Sequence, residues 1–190
     1  MTQGESERRR RFEALFAAYG GDVVSYCGWR TRSPSDAQDA VAEVFLTAWR
    51  RLDDVPEGEA ARIWLYATAR RVVANMRRSH RRRRALQERL TLEVATTPAS
   101  TGGWAEDDPL VREVLGRLGP EEREVLLLAE WEGLSAAQIA EVLGCLAVTA
   151  RGRLHRARRR FRAVFEELRG SEERRSALDL STTSVCEGGS

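Results

Sequence analysis

Apolar residues recur at steps of three and four along nearly the whole chain, and period-two alternation is almost absent. That spacing keeps one side of a helix dry and gives a sheet nothing to build on. The expected fold is all-α. Phe12, Leu15, Phe16 and Tyr19 share one face of a first helix, which Gly20-Gly21 is expected to break before a second from Asp22 to Arg30. Ser35 is read as the N-cap of a helix reaching Leu52, with Asp36 in its first turn. Leu65, Ala69, Val72 and Met76 give the stripe of a helix that starts near Glu59 and passes Arg78. The pattern then collapses between Thr91 and Asp108, where TTPASTGG has no apolar period and reads as a flexible linker. Two small helical domains joined by a tether follow, over 8–90 and 109–169, with the linker at 91–108 and a tail at 170–190 expected to be disordered.

The second half restarts cleanly. Leu110, Val111, Val114, Leu115 and Leu118 define one helix; Gly119-Pro120 ends it and opens the next, which Gly133 closes. Ser135-Ala-Ala-Gln138 has the capping-box pattern, and Gly144 stops the short helix it begins. Ala150, Leu154, Ala157, Phe161 and Phe165 form the inner face of the last helix. A short capped helix, a tight turn and a basic helix make a helix-turn-helix, whose second helix enters the major groove of DNA.

Charge is where composition matters. All 31 basic residues are arginine, and formal net charge is only +2, but the signs are segregated. Ala60–Leu90 holds ten Arg against one Glu, Thr91–Glu141 three Arg against eleven acids, and Arg151–Arg162 seven Arg and no acid. Blocks of this kind mark polyanion-binding faces beside acidic ones. No apolar stretch is long enough for a membrane span, and the N-terminus lacks the apolar segment of a signal peptide, so a cytoplasmic protein with no membrane partner is expected. Three scattered cysteines and two histidines offer no disulfide framework and no metal site. No phosphate-cradling glycine loop is present, so neither a cofactor nor an enzyme is expected.

Three candidate surfaces emerge. On the last helix, Thr149, Arg151, His155 and Arg156 are assigned to base reading, and Arg153, Arg158 and Arg159 to the DNA backbone. In the first half, Arg70, Arg71, Arg77, Arg78 and Arg81, with Trp64 and Tyr66 upstream, would form a stacking platform for unpaired bases. Asp36, Asp39, Glu43 and Arg50 make a polar stripe edged by Leu46 and Trp49, which suits a protein partner. Two other readings stand beside these. A dimeric helix-turn-helix regulator would need a dimerisation helix, and none is evident. An enzyme with Cys27 or Cys145 as nucleophile would need those thiols exposed, whereas their positions favour burial.

The segments DAQDAVAEVFLTAWRRL (Asp36–Leu52) and WLYATARRVVANMRRSHRRRR (Trp64–Arg84) resemble region two of the extracytoplasmic-function (ECF) sigma factors of bacterial RNA polymerase. LGPEEREVLLLAEWEGLSAAQIAEVLG (Leu118–Gly144) and TARGRLHRARRRFR (Thr149–Arg162) resemble region four. The resemblance implies that the Asp36 helix docks on the clamp helices of the polymerase's largest subunit. It also implies that the next helix captures the melted minus-ten strand and the helix-turn-helix reads the minus-thirty-five element as duplex. The flap region of core polymerase and an anti-sigma factor are further implied partners. Arg71, Ala42, Cys145-Leu146 and Gly152 depart from residues the family often has at these places.

Overall fold

The computed structural model of the chain describes residues 3–90 and 108–183, with side chains covered over 3–85 and 108–171. No strand occurs among the described residues. In the first module α1 (Gln3–Arg30), α2 (Pro34–Arg50) and α3 (Glu59–Leu90) pack pairwise, with a short 3-10 turn at Leu52–Asp54. In the second, α4 (Pro109–Arg117), α5 (Pro120–Leu126), α6 (Ala136–Leu143) and α7 (Ala147–Thr183) gather around α7. A π turn at Leu127–Trp131 continues α5.

Two boundaries differ from expectation. The Gly20-Gly21 pair does not break α1, which runs unbroken for 28 residues. A mid-helix glycine costs about 1 kcal/mol. Leu15 on one side of the pair, and Val23, Tyr26 and Cys27 on the other, are buried against α2 and α3 and offset that cost. Helix α2 begins at Pro34, so its N-cap is Ser33, whose Oγ accepts from the Asp36 N–H at 3.1 Å. Proline's fixed φ suits the first helical position, which moves the cap two residues earlier than Ser35.

The expected apolar stripes are inside. Leu65, Ala69 and Val72 are buried with Met76 packed alongside, as are Ala150, Leu154 and Ala157 with Phe161 alongside. Ser135 and Gln138 close their capping box, with the Ser135 N–H donating to Gln138 Oε1 at 2.9 Å and the Gln138 N–H to Ser135 Oγ at 3.3 Å. Gly144 ends α6 in the left-handed region (φ +66°), a conformation that costs a side chain dearly. The linker expected over 91–108 lies outside the described residues, apart from Asp108, which caps α4 by accepting from the Leu110 N–H at 2.8 Å. Of the tail expected over 170–190, residues 170–183 continue α7 to Thr183: SEERRSALDL is rich in helix formers and a single Gly170 does not stop it. Residues 184–190 lie outside the described residues.

The modules do not stand apart. Helix α3 packs on α6, and one continuous core joins Val23, Tyr26 and Tyr66 of the first module to Leu128, Leu134 and Ile139 of the second.

Candidate nucleic-acid interface

The turn at Gly144 sets α7 across α6, with Ile139, Leu154 and Ala157 holding the two together. The side of α7 opposite this core carries Val148, Gly152, His155, Arg156 and Arg159 at helical spacing. Arg151, His155, Arg156 and Arg159 are exposed and Thr149 is partly so. Two arginines assigned to the DNA backbone are engaged within the module: Arg158 pairs with Glu130 at 2.8 Å and Arg153 with Glu121 at 3.6 Å. Both pairs are open to solvent, where such contacts are weak and readily exchanged.

Arg70, Arg71, Arg77 and Arg78 are exposed along α3 and line a groove of about 530 Å³ between the modules. Its opposite wall includes Glu121 and Glu124 of α5. Arg81 is exposed on the next turn of α3. Trp64 is half-buried against the core. Tyr66 is not on this surface: it is fully buried, its ring centroid 5.4 Å from that of Tyr26. Its expected place on a base-stacking platform is therefore corrected for this arrangement. Position 66 shares the inward stripe of α3 with Ala69 and Val73, all buried, which a count of nearby aromatics could not show.

On α2, Asp39, Glu43, Leu46, Trp49 and Arg50 are all exposed, with Asp36 partly covered and 3.5 Å from His80 Nε2. Val44, Phe45 and Ala48 are buried beneath them. Trp49 leans edge-on against Phe12 at 5.2 Å between centroids, and Arg8 of α1 donates to its carbonyl at 2.6 Å. Exposed Trp49 and the Asp39 and Glu43 carboxylates thus share one helix, α2.

The family model for sigma-70 region 2 matches residues 15–83, and that for sigma-70 region 4 matches residues 110–161. The ECF RNA polymerase sigma factor SigL of Mycobacterium tuberculosis is 32% identical over 159 residues, covering 82% of this chain and 89% of that protein. The chain belongs to the ECF sigma factors. The RNA polymerase sigma-E factor of Streptomyces avermitilis is 33% identical over 155 residues, 80% of this chain and 82% of that one. Among solved structures, CnrH in complex with the cytosolic domain of CnrY matches with a TM-score of 0.60 and 25% identity, over 84% of this chain and 90% of that one. The sigma factor RpoE of Bartonella quintana, in complex with the anti-sigma factor NepR, shares the fold with a TM-score of 0.61 at 22% identity, over 82% of this chain and 96% of that one.

What sequence reading of this sigma factor missed is the cluster that joins region two to region four. Arg30, at the end of α1, donates from Nε to Glu124 at 2.9 Å and from Nη1 to Glu132 at 3.1 Å. Its side chain is 2% exposed and that of Glu132 3%. Tyr26 donates its hydroxyl to Glu124 at 2.8 Å, and Tyr66 to Glu132 at 3.1 Å. Arg62 donates to the Glu132 carbonyl at 2.8 Å, and Trp29 meets Trp131 edge-on at 5.3 Å. Burial works against the Arg30 charge, but Glu124, Tyr26 and Glu132 outweigh it and hold the guanidinium protonated. Burial raises the Glu132 carboxyl above the ordinary range, with Arg30 and Tyr66 pulling it back. Burial, and the Glu124 charge after it, raises the Tyr26 phenol. The π turn lies immediately before Glu132, whose N–H donates to the Leu127 carbonyl at 3.1 Å. A glutamate followed by glycine at a helix end gives no local sign of such a role.

Proposed function

We propose that this chain acts in the cytoplasm, without chemistry of its own, as the subunit that lets core RNA polymerase find and open a specific set of promoters. The α2 face would dock on the clamp helices of the largest subunit, using Asp36, Asp39, Glu43 and Arg50 with Leu46 and Trp49. Residues 8–90 would capture the unpaired minus-ten strand through Trp64, Arg70, Arg71, Arg77, Arg78 and Arg81. Residues 109–169 would read the duplex minus-thirty-five element through α7 and contact the flap region. CnrH is found in complex with the cytosolic domain of CnrY, and the ECF resemblance adds an anti-sigma factor as a further partner to look for.

The observation that supports this best is the placement of two exposed arginine faces on separate modules, α3 and α7, each within one of the two matched sigma regions. Phosphate attraction alone is unspecific and falls steeply with salt. Selectivity therefore needs both faces held at a set spacing, which mounting on polymerase supplies. The arginines of α3 face Glu121 and Glu124 across the groove, so mounting must also part the modules. Run-off transcription with purified core polymerase on a promoter library is the test. Core plus chain should initiate at a defined subset of templates; initiation no more selective than by core alone would refute the proposal.

A further inference from the structure

Leu146 and Val148 are the most exposed large apolar side chains among the described residues, at 72% and 63%. They flank the first turn of α7, directly after the Gly144 turn. Leu146 also occupies the N-cap position, its carbonyl accepting from the N–H groups of Thr149 at 2.9 Å and Ala150 at 3.0 Å. A leucine there offers no side-chain oxygen to the free N–H groups, where Ser, Thr, Asp or Asn would serve the helix better. Neither its packing nor its capping explains it.

The surroundings define what covers this apolar lip. Val148, Gly152 and Arg156 follow one another at i, i+4 and i+8 on the outward face, with Arg151 and His155 beside them. A Cβ at Gly152 would meet only the Arg156 Nη1 within 4 Å, at 3.5 Å, so glycine leaves a notch between valine and arginine. Apolar side chains at the start of a basic recognition helix match one feature of the major groove, the C5-methyl group that distinguishes thymine. We propose that Leu146 and Val148 read thymine methyl groups in the upstream promoter element, and that Gly152 lets the base edges approach them. The inference rests on the proposed duplex-reading role of α7 and adds to it which bases are chosen.

Deoxyuridine replaces thymine with loss of the methyl group alone, so it tests the contact directly. Holoenzyme reconstituted with core polymerase is assayed on its selected promoter, with each upstream thymine replaced in turn. One buried methyl corresponds to about a fourfold change in affinity, and that loss is expected at one or two positions. Leu146→Ala or Val148→Ala should weaken the thymine promoter by a similar factor and abolish the response to uracil at one position. Arg156→Ala should weaken binding yet preserve that response. Both apolar positions are exposed, so unchanged thermal unfolding separates lost contact from lost fold. An upstream element without thymine, a wild type indifferent to every uracil, or a uracil penalty that survives both truncations overturns the methyl reading alone. Failure of the holoenzyme to select any upstream element would overturn the role of α7 as well.

Discussion

Replacing Arg30 by methionine removes the guanidinium but keeps an apolar stem of similar reach. Three hydrogen bonds go with it: to Glu124 at 2.9 Å, to Glu132 at 3.1 Å and to the Tyr26 carbonyl at 3.1 Å. Glu132, 3% exposed, would then stay buried with only the Tyr66 hydroxyl on its carboxylate. Removing one partner of such a pair costs about 3–5 kcal/mol, because the remaining charge cannot reach water. Here the chain has an escape that an ordinary core lacks. Parting the two modules rehydrates Glu132 and Glu124 while each module keeps its own helices. The docked arrangement, not the fold of either module, should therefore fail. A loss of about 3 kcal/mol shifts the docked-to-open ratio more than a hundredfold. Small-angle scattering of free Arg30→Met protein should show an increased radius of gyration, with helix content by circular dichroism unchanged. Arg30→Met combined with Glu132→Met should restore part of the docking, since Glu132 is no longer stranded and Glu124, 17% exposed, keeps the Tyr26 hydroxyl. Scattering identical to wild type, or loss of helix content in step with expansion, would refute the reasoning.

Charge reversal of Asp39 and Glu43 should weaken capture of core polymerase at least tenfold in a pull-down while leaving thermal unfolding unchanged, as both are exposed on α2. Burial pushes the Cys27 thiol up to about 12, so at pH 8 it should react with a disulfide reagent far more slowly than half-buried Cys145. The pH dependence of docking has a definite sign at Glu132. Its docked pKa lies above that of the open state, so the docked form binds the proton more readily. Its contribution is present at low pH and is lost as pH rises through the docked pKa. Wild type should therefore lose more docking than Glu132→Gln on raising pH across that range, as read by scattering; parallel curves would count against it.

Much of this protein is local and could be read from the chain. Helical period, the Ser135–Gln138 box, the Gly144 turn and the Gly119-Pro120 joint each involve residues within four positions of one another, and each is present as expected. The arginine faces of α3 and α7 were legible for the same reason, since solvent accepts charge wherever it is exposed. Where a local rule met a tertiary force, the force prevailed. Gly20-Gly21 stayed helical because the residues on both sides are buried.

Sequence alone determined most of the helices, the Ser135 cap and the motifs of the two sigma regions, because short-range sterics and apolar period act without knowledge of the rest of the chain. Only the tertiary structure decided that the modules dock, that Tyr66 turns inward, and that α3 arginines face α5 glutamates. Those outcomes hang on Arg30 meeting carboxylates 94 and 102 residues away. At such separations no periodicity links the partners. A buried ion pair is stable only when all its members arrive together in a site already closed to water.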